Sequence, residues 1–194
     1  MIDRIASKAR DGERLDDAEA RFMLSDAPLL DLGQLAAEIR HQRYPGDVVT
    51  YVVDTNLNYT NLCDAYCSFC AFYRPHTSTA DDAYTRTVDE MMDQVADAAG
   101  QGCTTVLMQG GLNPELPLDY YLDMVRATRD RFPEVTPHYW SAPEIYEMSK
   151  VSGLSYREVF EALWEAGQRT LPGGGAEILT NEQRHRISPL KMDA

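Results

Sequence analysis

The sequence predicts an α/β fold, a partial (β/α) barrel of the TIM type preceded by N-terminal helices. Three observations predict it. Short β-branched or apolar runs alternate with amphipathic helical segments between residues 47 and 194, which implies right-handed β-α-β crossovers and a parallel sheet. Four strand–helix units can be traced in this way. Each distinctive motif follows directly after one of the strand runs, where a β/α barrel assembles its active site. Residues 1–46, by contrast, form a helical segment with no strand pattern, so the chain divides into 1–46 and an incomplete barrel over 47–194.

In chain order, Leu15 to Leu24 begins with acids suited to a helix N-terminus. Leu29, Leu32, Leu35, Ala36 and Ile39 recur at helical spacing until Tyr44-Pro-Gly46 stops the helix. Val48–Val53 is β-branched and nearly all apolar, as a strand buried on both faces would be. Val88 to Gly102 places Val88, Met91, Met92, Val95 and Ala99 on one helical face and ends in glycines. Thr104–Met108 is the second strand and leads into Gln109-Gly-Gly111. Leu118 to Phe132 repeats the helical pattern. Val135–Trp140 is the third strand, interrupted by Pro137, and runs into Ser141-Ala-Pro-Glu144. Ser155-Tyr-Arg-Glu158 is a capping box that opens a helix closed by Gly167. Gln168–Leu171 is a short fourth strand, followed by the loop Pro172-Gly-Gly-Gly-Ala-Glu-Ile178. Four parallel strands cannot close a barrel, so an open edge and self-association of the chain alone are expected.

A formal net charge of -13 in 194 residues argues against nucleic acid and against an anionic membrane surface, both of which need clustered Lys and Arg. No apolar run approaches the roughly 20 residues of a membrane span. The first residues have no apolar signal-peptide core, so a reducing cytoplasm is expected, where cysteines read as metal ligands and not as disulfides. Cys103 stands alone before an apolar run and reads as a small core residue.

Cys63, Cys67 and Cys70 stand in a C-x3-C-x2-C run. Three thiolates in one short loop can hold three irons of a [4Fe–4S] cluster and leave the fourth open to a small molecule. The alternative is a zinc site completed by His76. Zinc sites usually pair two separated ligand dyads, whereas here the ligands fall in one run, so the cluster is the stronger reading. Gln109, Gly110 and Gly111 permit close backbone approach to a ligand or form an ordinary tight turn. Gly173-Gly-Gly175 lacks the Gly-Lys-Ser/Thr of a P-loop. Glu177 reads equally as a substrate-binding acid or a solvated one. Ser141 and Glu144 have the spacing of a helix cap as well as a place among candidate ligands. His138 and Tyr139 alternate on their strand, so one of them should face the barrel interior.

The cysteine spacing, with Phe69 before the last cysteine, resembles the signature of the radical S-adenosylmethionine (SAM) enzymes. Further motifs narrow the resemblance: Asn58-Tyr-Thr-Asn-Leu-Cys63, Cys67-Ser-Phe-Cys-Ala-Phe-Tyr-Arg74, Met108-Gln-Gly-Gly-Leu-Asn-Pro114, Ser141-Ala-Pro-Glu-Ile145 and Pro172-Gly-Gly-Gly-Ala-Glu-Ile-Leu179. From about Leu15 to Lys191 the chain resembles the cyclic dehypoxanthinyl futalosine synthases of menaquinone biosynthesis. Aminofutalosine synthase and the deazaflavin synthase of coenzyme F420 are sister families. The resemblance implies a [4Fe–4S] cluster on Cys63, Cys67 and Cys70, with SAM on its open iron. It implies reductive cleavage of SAM to a 5′-deoxyadenosyl radical, which takes a hydrogen atom from the ribose C4′ of dehypoxanthine futalosine before the substrate cyclises. A one-electron reductant such as flavodoxin or ferredoxin is implied as partner. Gln109, Gly110 and Gly111 would then hold SAM together with Ser141 and Glu144, with Phe69 and Phe72 near its adenine. Glu177 and His138 are the catalytic candidates, and Asn113 is expected beside them at the substrate. Members of the family are longer and continue to a six-stranded partial barrel, so the chain is expected to be truncated after four strands.

Overall fold

The computed structural model of the chain describes residues 1–175 and 177–194, so Ala176 of the Pro-Gly-Gly-Gly-Ala-Glu run lies outside the described residues. The chain falls into two compact units, Met1–Tyr51 and Val52–Ala194.

The first unit is helical: α1 (Ile2–Asp11), α2 (Asp17–Ser25) and α3 (Leu29–Arg43). Asp16 caps α2 by accepting from the Glu19 amide at 2.9 Å, and the Glu19 carboxylate accepts in return from the Asp16 amide at 2.8 Å. Glu19 is buried, and Arg4 and Lys8 of α1 donate to it at 2.7 and 2.8 Å. The Lys8 hydrogen bond is the main reason its carboxyl titrates at about 2, well below the usual range. Of the periodic apolar residues on α3, Leu35 is buried while Leu29 stays exposed.

The second unit contains β1 (Asp54–Leu57), α4 (Val88–Gly100), β2 (Thr105–Met108), α5 (Leu118–Arg131), β3 (Thr136–Tyr139), α6 (Ala142–Ser152), α7 (Tyr156–Ala166) and α8 (Asn181–Ile187). The strands form one parallel sheet in the order β1-β2-β3, with Asp54 opposite Thr105 and Thr105 opposite Thr136. Val106, Met108 and Tyr139 alternate toward the helices and are buried. There Tyr139 and Thr128 of α5 share a hydrogen bond at 2.7 Å. Tyr59, Tyr121 and Trp140 stack edge to face behind the sheet, with ring centroids 5.1 to 5.8 Å apart. Capping boxes at Thr87–Glu90 and Ser155–Glu158 start α4 and α7.

Two expectations are corrected. Val48–Val53 is not the first strand. Val48, Val49 and Tyr51 are exposed, and the strand is the more polar Asp54–Leu57 that follows. β-branched content measures fitness for a packed pleat, but a strand also needs a partner. The register with β2 begins at Asp54, and of the preceding run only the Val53 carbonyl is drawn in, accepting from the Thr104 amide at 3.1 Å. Nor, among the described residues, is there a fourth strand–helix unit; the sheet has three strands. Gln168–Leu171 makes a single parallel bridge, His138 to Thr170. Pro137 has no N–H to offer on that side. The Tyr139 carbonyl is taken by the Gln168 side-chain amide at 2.6 Å instead of by a neighbouring backbone. Among the described residues no helix is long and apolar enough to cross a membrane.

Candidate metal and cofactor site

The cysteine loop leaves β1 and is fastened at its base before it turns. The Cys63 amide donates to the Arg74 carbonyl at 2.8 Å, and the Arg74 amide to the Asn61 carbonyl at 2.7 Å. Asp64 pairs with His76 Nδ1, and Arg74 pairs with Asp82. The tip is held from the far end of the chain, where the Ser68 amide donates to the Ile187 carbonyl at 2.7 Å.

The segment after β2 is hydrogen-bonded to the start of this loop. The Gln109 amide donates to the Leu57 carbonyl, the Gly111 amide to the Thr60 carbonyl, and the Asp64 amide to the Leu112 carbonyl, at 2.9 to 3.1 Å. This close pairing explains both glycines. A Cβ on Gly110 would lie 2.6 Å from the Tyr59 ring, and one on Gly111 would run into the Leu62 carbonyl. Two further segments join them. A Cβ on Gly174 would strike the Gln109 amide, and one on Gly175 would strike Pro143 at the start of α6.

Glu144 ties these pieces together. It is fully buried, and Oε1 accepts from the Tyr59 hydroxyl at 2.8 Å and from the Gly110 amide at 3.0 Å. Oε2 accepts from the Ser141 amide and hydroxyl, both at 2.6 Å. Burial pushes its carboxyl up to about 6, even though all four hydrogen bonds favour the charged form.

The segments after the three strands, together with the glycine run after Thr170 and Lys191 beyond α8, thus border a cavity of about 270 Å³ lined by Cys63, Cys67, Cys70, Phe69, Phe72, Gln109, Gly110, Gly111, Ser141, Pro143, Gly174, Gly175, Glu177 and Lys191. Three non-glycine residues here have left-handed backbones: Tyr66 at φ 53°, Trp140 at φ 62° and Glu177 at φ 31°. Each such residue costs about 1–3 kcal/mol, a strain that gathers where function requires a particular geometry.

The three thiols line one cavity, as the three thiolate ligands of a cluster would. Among the described residues no three His, Cys, Asp or Glu side chains gather closely enough to ligate one metal ion. Tetrahedral zinc would need its sulfurs within about 4 Å of one another, whereas an iron–sulfur cube takes its thiolates at separate corners. His76 is already paired with Asp64. Burial pushes the Cys63 thiol up, so holding it as a thiolate calls for a nearby positive charge such as iron.

Not every sequence candidate reaches the cavity. Asn113 is buried in its own turn, where Oδ1 accepts from the Glu115 amide at 3.0 Å and Nδ2 donates to Thr85 Oγ1 at 3.3 Å. His138 lies on β3, its Nδ1 2.8 Å from Thr170 Oγ1, and is not among the lining residues. Glu144 acts behind the wall through Gly110 and Ser141. Cys103 packs against the main core, as its apolar context suggested. Sequence reasoning missed Lys191, Pro143 and Tyr59. Tyr59 stood inside a quoted motif, but nothing in the spacing signalled Lys191.

Three thiols and two glycine segments meet at one cavity beside a parallel β/α sheet, an arrangement with the chemistry to hold a cluster and a small cofactor. Residues 57–190 match the radical SAM superfamily, and the chain belongs to it; members use a [4Fe–4S] cluster and SAM. It is 40% identical over 191 residues to cyclic dehypoxanthine futalosine synthase of Halalkalibacterium halodurans, a match covering 98% of this chain and 51% of that protein. It is 39% identical over 197 residues to 5-amino-6-(D-ribitylamino)uracil–L-tyrosine 4-hydroxyphenyl transferase of Microcystis aeruginosa, covering 98% of this chain and 52% of that one. The chain therefore spans about half the length of the curated relatives it matches. The fold is similar to that of methylornithine synthase PylB, with a TM-score of 0.55, 16% identity, and coverage of 85% of this chain and 57% of that one.

Proposed function

We propose that this chain carries the cluster-binding half of a radical SAM enzyme that cyclises dehypoxanthine futalosine in menaquinone biosynthesis. The carrying observation is the 40% identity to a futalosine synthase along 98% of the chain, with the cysteine and glycine motifs brought to one cavity. When bound, the cluster and SAM supply a 5′-deoxyadenosyl radical able to remove a hydrogen atom from substrate. The chain's own residues bind and orient. Cys63, Cys67 and Cys70 would ligate the cluster through their thiolates. The Gly110–Gly111 backbone lies beside them, fixed by Glu144 and Tyr59. Phe69 and Phe72 offer half-exposed aromatic surface for the adenine, and Gly175 packs closely against Pro143 and Gly174 against Gln109 in the cavity wall. The electron would come from a flavodoxin- or ferredoxin-like donor, in the cytoplasm.

A second reading is favoured by the nearly equal 39% identity to the hydroxyphenyl transferase. One assay separates the two. The reconstituted chain, supplemented with a polypeptide corresponding to the remaining half of the relatives, is given SAM, reductant and dehypoxanthine futalosine. The expected result is 5′-deoxyadenosine plus a cyclised product, both abolished by Cys70→Ala. Turnover of tyrosine with 5-amino-6-(D-ribitylamino)uracil instead would establish the second reading and reject the first.

A further inference from the structure

We propose that Lys191, held in place by Glu177, is the carboxylate-binding group of this cavity, which takes a small molecule bearing an organic acid. The inference rests on the cluster-and-SAM reading and adds a ligand contact to it. Lys191 follows α8, where its amide donates to the Ser188 carbonyl at 3.2 Å. Its side chain is only 7% exposed, and Nζ lies 2.7 and 2.9 Å from the two oxygens of Glu177. Both residues line the cavity with Cys63, Cys67 and Cys70. Among the described lining residues Lys191 is the one cation and Glu177 the one carboxylate.

The Glu177 carboxylate and the Lys191 ammonium form an ion pair, so neither charge is left alone in the cavity wall. An ammonium has three N–H donors. Glu177 accepts two of them, which fixes the direction of the third. Glu177 itself is held in a left-handed backbone conformation at φ 31°, so the position of the pair is not left to a relaxed loop. In a chain of net charge -13, a placed cation is what admits an acid to a cavity. The carboxylate has two possible sources, the methionyl end of SAM and the second substrate.

The test is calorimetric binding to the anaerobically reconstituted chain, comparing wild type, Lys191→Gln and the double variant Glu177→Gln/Lys191→Gln. The double variant removes both charges together and leaves neither buried alone. Ligands are SAM, 5′-methylthioadenosine (which lacks the amino-acid end) and dehypoxanthine futalosine. If SAM supplies the carboxylate, both variants bind SAM about tenfold or more weakly, with 5′-methylthioadenosine unchanged. If the second substrate supplies it, SAM is unchanged and dehypoxanthine futalosine weakens by a similar factor. Either pattern supports the proposal. Wild-type affinity for both acids in both variants overturns it, as does an equal loss for 5′-methylthioadenosine, which would mean a damaged cavity wall. Wild-type protein that takes up no cluster and binds no SAM fails the underlying reading together with the proposal.

Discussion

Gly111→Ala is expected to dislodge the cysteine loop and remove most of the bound iron. The new methyl group would press into the Leu62 carbonyl and lie 2.9 Å from Cys63 Cβ. Both neighbours are parts of the loop's own start, so they cannot yield as the tip of a flexible side chain would. Gly111 does not have a positive φ, so the backbone conformation itself would accept alanine. The whole effect comes from the contact, at about 3 kcal/mol by the general cost of overpacking. Gly173→Ala is the matched control in the neighbouring glycine run. Nothing lies within 4 Å of its added Cβ, so it should melt and bind iron like wild type. Thermal unfolding and iron content of the two variants decide the matter. A Gly111→Ala protein indistinguishable from the control would show that the pairing of Gln109–Leu112 with Leu57–Asp64 does not hold the loop.

Glu144→Ala is expected to cost on the order of 3–5 kcal/mol. Two hydroxyls and two amides donate to that carboxylate, and removing it strands them in a buried site. Glu144→Gln keeps an acceptor for Tyr59 and Gly110 but turns an amide group toward the Ser141 donors, so a smaller loss of about 2 kcal/mol is expected. The wild-type group also carries a pH signature. Its folded pKa of about 6 lies above the ordinary value of 4.5, so the folded state binds the proton more tightly than the unfolded chain does. This favourable contribution is fully present below pH 4.5 and is lost as pH rises through about 6. Between pH 4.5 and 7.5 wild type should lose about 2 kcal/mol that Glu144→Gln does not lose, because glutamine does not titrate. Denaturant unfolding of both proteins across that range measures the difference. Parallel pH profiles would mean that Glu144 is not the buried, raised carboxyl described.

The chemistry-bearing parts of the chain were more legible than its sheet. The cysteine run, the two glycine segments and Ser141-Ala-Pro-Glu144 were each placed after a strand, and they converge on one cavity as barrel topology requires. Helix starts were legible wherever a capping pair marked them, as at Ser155 and Glu158. The first strand was misplaced because Val48–Val53 carries the apolar signal while Asp54–Leu57 has the partner. Hydrogen-bond register is a non-local property, and the polar residues of Asp54–Leu57 hide it from a reading based on hydrophobicity. The fourth strand failed through Pro137 and through the Gln168 amide, which caps Tyr139 from across the chain. α8 carried too little apolar periodicity to be noticed, and with it Lys191 went unseen. Its partner Glu177 is 14 residues away, a separation that no local spacing rule connects. Glu144 was legible as half of a helix cap, but its hold on Gly110 and Tyr59 needed the folded chain.

The central claim is that Cys63, Cys67 and Cys70 hold a four-iron cluster. Its most direct test is metal content after anaerobic reconstitution with iron and sulfide, in wild type and in each cysteine-to-alanine variant. The account predicts about four irons and four sulfides per chain with broad absorbance at about 400 nm, lost in the Cys63, Cys67 and Cys70 variants and kept in Cys103→Ala. One tightly bound zinc per chain with no iron uptake, or full iron retention after any of the three substitutions, would contradict it.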